Sequence, residues 1–164
     1  MNIAEKISNS NLLADIFGQW PSFHDAEVVK ISLDRAPDGK FYGPNLESEI
    51  HVFEMTAEID EKGFIKLTKH TLVWLAFLEI YELSLTDFNH QNVLWGLSIV
   101  DISDRQLERI KFEITFSSSW GVAANFQCAA VEVRSVQPFV PDELVRNGRG
   151  IQSKPKAGAY QPKK

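Results

Sequence analysis

A single cysteine, Cys128, is present among 164 residues, so no internal disulfide can form and packing alone must hold the fold. Its neighbours in Ala124-Asn125-Phe126-Gln127-Cys128-Ala129-Ala130 are mostly apolar, which marks a buried, inert thiol and fits a reducing compartment. No apolar stretch reaches the ~20 residues needed to cross a bilayer. The start, Met1-Asn2-Ile3-Ala4-Glu5-Lys6, has no basic segment followed by an apolar run, so no signal peptide is expected and the expected location is the cytosol. A phosphate loop, a dinucleotide fingerprint and the Gly-x-Ser-x-Gly nucleophile turn are all missing, and Cys128 has no histidine near it in sequence. No catalytic residue, cofactor or internal repeat is therefore expected.

What is present is an ordinary globular composition, 44% apolar and 24% charged, in a chain of single-domain length. A domain of this size buries roughly 70% of the surface its unfolded chain exposes, enough for a core without staples. Charge is distributed unevenly. Residues 142–164 hold six Lys/Arg against two Asp/Glu, whereas residues 1–141 hold eleven against twenty, so a body of about −9 carries a tail of about +4. An acidic body repels nucleic acid and membrane phosphate and steers basic proteins toward itself. The tail is rich in Gly, Pro and Lys from Asn147 to Gly158 and is expected to be unstructured, leaving 1–141 as one β-rich domain. It contains one aromatic, Tyr160, and no Arg-rich core, so it offers nucleic acid no more than nonspecific attraction.

Hydrophobic periodicity predicts a short helix over about 10–17, with Asn9-Ser10-Asn11 ahead of it and Gly18 as its stop. After Trp20-Pro21 the period becomes two. Glu27, Val29, Ile31 and Leu33 alternate with Val28, Lys30, Ser32 and Asp34, predicting a strand followed by a turn at Ala36-Pro37-Asp38-Gly39-Lys40. His51, Phe53, Met55, Ala57 and Ile59 form the inward face of a second strand that closes in a hairpin at Asp60-Glu61-Lys62-Gly63. Leu72 to Leu85 is apolar on both parities, as a central strand covered on both faces would be, with a bend near Glu79. Further strands are expected at 93–102, 107–116 and 122–136, the second of them facing Ile110, Phe112, Ile114 and Phe116 inward and Arg109, Lys111, Glu113 and Thr115 outward. Short turns and almost no helical spacers indicate a mainly β fold: an antiparallel sheet or sandwich of about six to eight strands with a short N-terminal helix.

The most distinctive segment crowds three ionisable groups where the first strand begins, in Trp20-Pro21-Ser22-Phe23-His24-Asp25-Ala26-Glu27-Val28. An adjacent His-Asp pair is also found in phosphohydrolases that bind metal, but those are helical bundles needing further ligands on other helices, and this chain has strands there. A metal-dependent hydrolase could instead join His24, Asp25 or Glu27 to His51, His70 or His90, although intervals of 27, 19 and 20 residues form no paired-ligand motif. The alternative is a structural polar corner of Trp20, Phe23, His24, Asp25 and Glu27, in which Glu27, on the inward parity, needs a donor such as a Trp indole or an imidazole. Asp87-Phe88-Asn89-His90-Gln91-Asn92 is a polar connection suited to a turn or to recognition, and Trp120 stands beside Gly121 where an aromatic can anchor an interface.

The corner segment, Phe88-Asn89-His90-Gln91-Asn92-Val93-Leu94, and the last strand through Phe126-Gln127-Cys128 to Val133 together resemble the immunity protein 50 family of bacterial polymorphic toxin systems, over about residues 15–140. The resemblance implies a small, mostly β protein that is not an enzyme and neutralises a cognate toxin by binding it; it supplies no catalytic residues. The alternatives are the hydrolase above and an adaptor protein without a toxin partner. Because nuclease toxins are often basic, the expected contacts are Glu54, Glu58, Asp60 and Glu61 on the second strand and hairpin tip, with Asn89, His90, Asn92 and Trp120.

Overall fold

The computed structural model describes residues 2–35, 43–139, 144–146 and 151–153. Six antiparallel strands close into a barrel: β1 (Glu27–Asp34), β2 (Asn45–Ile59), β3 (Ile65–Thr86), β4 (Val93–Asp101), β5 (Phe112–Trp120) and β6 (Ala123–Pro138), in the order β1-β2-β3-β6-β5-β4. The expected mainly β fold is observed, with closure in place of an open sheet or sandwich. The turn expected at 36–40 and most of the tail lie outside the described residues. Within the tail, β7 (Leu144–Arg146) and β8 (Ile151–Ser153) pair antiparallel as a separate two-stranded sheet.

The helix α1 (Asn11–Phe17) follows a 3-10 turn at Ile3–Lys6 and stops at Gly18, whose φ of 79° places its N–H on the Ala14 carbonyl at 2.8 Å. Ser10 occupies the N-cap position without a side-chain bond to the helix. This N-terminal segment is tied to the barrel through Ser8, which exchanges backbone bonds with Val131 and Val133 of β6. Lys6 also pairs with Asp101 and holds that carboxyl well below the usual range. Ile7 and Leu13 are thereby placed in the core.

The barrel interior is apolar, organised around Phe77, Phe116 and Phe126 with ring centroids 5.1 to 6.1 Å apart. The expected inward faces hold for β5 and for the centre of β3. The bend foreseen near Glu79 is a left-handed residue, φ 52°, repeated at Glu82. Two strand readings are corrected. In β1 the register shifts between Val28 and Lys30, so Val28 joins Glu27 in the interior and Val29 is exposed; beyond the shift Ile31 packs partly against the core while Leu33 is exposed. The strand expected at 107–116, β5, begins at Phe112 and not at residue 107, which leaves Arg109 in the preceding loop.

A third correction concerns the β2–β3 hairpin. Pairing of β2 with β1 ends at Glu27↔His51, and pairing of β3 with β6 ends at Thr71↔Pro138, yet the two strands continue to Ile59 and back from Ile65. Their outer part projects beyond the wall with no third strand paired to it among the described residues. Met55 and Ile59, expected inward, are therefore exposed, as are Phe64 and Ile65.

Candidate functional site

The segment Trp20–Glu27 is the clasp that closes the barrel. Phe23 and Asp25 adopt left-handed φ values of 57° and 59°, uncommon for non-glycine residues, and these turn the chain away from β2 and onto β4. Backbone bonds then run from Asp25 to Leu94 (2.9 Å), from Leu94 to Ala26 (2.9 Å) and from Val28 to Asn92 (2.8 Å), around the single ladder pair Glu27↔Val93. Phe23 is buried in the core with its ring 5.6 Å from that of Trp20. His24 and Asp25 face outward, Nδ1 to Oδ2 at 3.3 Å, and the imidazole packs on Trp95 at 4.7 Å.

Glu27 is buried in this seam. Its donor is neither an indole nor an imidazole: Oε1 accepts the Asn92 backbone N–H at 2.8 Å. Burial raises its pKa above 4.5, and that hydrogen bond opposes the rise only in part. Oε2 is buried with no hydrogen-bond partner among the described residues.

Asn92 is the hub of the same seam. Its Oδ1 accepts the N–H groups of Asn89 (2.9 Å) and Val122 (3.2 Å), and its Nδ2 donates to the Asn89 carbonyl (2.8 Å). The side chain is buried, which corrects its assignment to a contact surface: every polar atom is committed internally. Gly121, at φ 77°, lies so close that a Cβ there would stand 2.1 Å from the Gln91 carbonyl oxygen. Asn89 and His90 are exposed on the turn, and Trp120, at the end of β5 opposite Val93, is 57% exposed.

The four acidic positions of the hairpin differ in their commitments. Glu54 pairs with Lys69 and Glu58 with Lys66, each at 3.0 Å across the two strands. Asp60 spends Oδ1 on the backbone N–H groups of Lys62 and Phe64, fixing the turn. Glu61 is exposed and makes no ion pair among the described residues. Beside the root of the hairpin lies a cleft of about 470 Å³, lined by Phe17, Gln19, Pro21, Ser22 and His24 on one side and by Phe53, Glu54 and Met55 on the other.

Two buried polar pairs escaped sequence reasoning. Glu79, fully buried, receives a two-pronged bond from Arg109 and accepts nothing from its own amide, which donates to Asn45 Oδ1 at 3.1 Å. The pairing raises the Arg109 pKa further. A carboxylate directly after the unbroken apolar run 72–78 was the available signal. His51, on the inward parity of β2, meets His70 at 3.0 Å between Nε2 and Nδ1 and stacks on Phe139. No three His, Cys, Asp or Glu side chains converge as metal ligands among the described residues, so His24, Asp25 and Glu27 are not joined by the other histidines. Among those residues no helix is long and apolar enough to cross a membrane.

The chain was compared with protein-family models, curated proteins and solved structures; neither of the last two gives a match. The family model described as immunity protein 50 matches residues 9–139, a span that begins just ahead of α1 and contains all six barrel strands. The clasp, the hub at Asn92 and the projecting hairpin all lie within it, and the chain belongs to the immunity protein 50 family.

Proposed function

We propose that this protein neutralises a cognate bacterial toxin in the cytosol by binding it, with no chemistry of its own. The observation that carries this reading is the family match across the whole barrel. The side-chain arrangement supports it. The ionisable corner that drew attention as a candidate metal site spends Glu27 and its surroundings on closing the barrel, while large apolar side chains, Trp95, Trp120 and Phe64 among them, stand exposed where a partner could cover them. Trp120, Asn89 and His90 cluster at the β4 and β5 ends of the seam, and Glu54, Glu58, Asp60 and Glu61 mark the hairpin. Excess acid in the body favours a basic toxin through steering.

Co-expression with the toxin encoded beside this gene tests the reading. Rescue of growth and recovery of a stoichiometric complex are expected. Toxicity that persists at full expression of the folded protein would refute it. Reversal of Glu58 and Glu61 to lysine is expected to slow association at low salt and to have little effect at high salt, where screening removes steering.

A further inference from the structure

Strand β2 changes its surroundings at His51. Up to that residue it is hydrogen-bonded on both sides, to β1 and β3. From Glu54 to Ile59 it is bonded to β3 alone among the described residues, with its register shifted between Met55 and Ile59 and the Glu58 N–H donated to Thr56 Oγ1, because the left-handed turns at Phe23 and Asp25 have sent the preceding chain across to β4. Where a continuation of β1 would lie there is instead the cleft between Pro21, Ser22 and His24 and the start of the open stretch at Glu54 and Met55. A strand edge presents a row of backbone donors and acceptors about every second residue, and the chemistry that satisfies such a row is another extended backbone.

We infer that the open edge of β2, from Glu54 to Ile59, binds an extended segment of the toxin as an added antiparallel or parallel strand seated in this cleft. The inference rests on the immunity reading and names the element that does the gripping. Side chains along the edge specify what fits. Met55 and Ile59 are exposed, the latter at 70%, and call for apolar residues opposite them on the incoming strand. The stretch 54–60 carries Glu54, Glu58 and Asp60 and no cation of its own, so Lys, Arg or hydroxyl residues suit the intervening positions. A second copy of this chain fits poorly. Antiparallel self-pairing centred on Ala57 would set Glu54 of each copy against Asp60 of the other, like charges directly across a ladder. Lys66 and Lys69 sit on β3, on the far side of β2 from the open edge, and pair with Glu58 and Glu54 from there.

The full chain and the toxin encoded beside it provide the test. Amide hydrogen exchange of 55–59 is expected to slow at least tenfold on complex formation. The double variant Met55→Lys, Ile59→Lys, changed only at exposed positions, is expected to keep its unfolding midpoint and to bind at least tenfold more weakly. A complex of wild-type protein in which 55–59 stay unprotected, or which the double variant forms equally well, overturns the edge inference and leaves the immunity reading standing. Sedimentation showing a wild-type dimer that the double variant abolishes assigns the edge to self-association and also overturns it. Failure of the wild type to bind or rescue removes the immunity reading, and the inference with it.

Discussion

Replacing Asn92 with alanine removes three hydrogen bonds at once from a buried position, two accepted by Oδ1 and one donated by Nδ2. The Val122 N–H is the most costly loss, since its bond to Oδ1 is buried and an unsatisfied buried donor costs about 1–3 kcal/mol. The two bonds to Asn89 are only part-buried, so water replaces them at roughly 0.5–1 kcal/mol each. The sum is about 3 kcal/mol, which for a chain of this length lowers the thermal midpoint by roughly 6–12 °C. Urea unfolding measures it directly, with the exposed neighbour change His90→Ala as a control expected to stay within about 0.5 kcal/mol. A loss below about 1 kcal/mol for Asn92→Ala at unchanged slope would refute the account of this residue as the hub of the seam.

Three further outcomes follow from the same geometry. Gly121→Ala is expected to destabilise by about 2 kcal/mol or more, because its Cβ would strike the Gln91 carbonyl and its positive φ strains any side chain; the urea midpoint reports it. Glu27 has a folded pKa raised above 4.5, so the fold binds its proton more tightly than the unfolded chain does. Its contribution is then fully present below pH 4.5 and is lost as pH rises through the folded value, so Glu27→Gln is expected to gain stability relative to wild type as pH rises from 4.5, and a pH-independent difference in urea titrations would contradict this. Cys128 is buried with its pKa pushed up to about 12, so a thiol reagent at pH 8 is expected to label it only at the rate of unfolding, and rapid stoichiometric labelling of native protein would show the site to be open.

Local signals in the sequence determine the strands, the helix and its stop at Gly18, and the inward face of β5, because alternation and turn chemistry act within a few residues. They determine the family as well, since the clasp segment is contiguous in the chain. Tertiary structure decides the rest. Alternation cannot show that a bulge after Val28 puts Val28 inside and Val29 outside, nor that β2 outruns β1 and leaves Met55 and Ile59 in solvent, because burial depends on which other strand lies alongside. Nor can residue type reveal that Asn92 is a buried hub while Asn89, three positions earlier, is exposed, or that Glu79 meets Arg109 across 30 residues. Periodicity encodes which side of a strand is apolar; only closure of the barrel at Glu27 and Val93 determines which backbone edges are used up and which stay open.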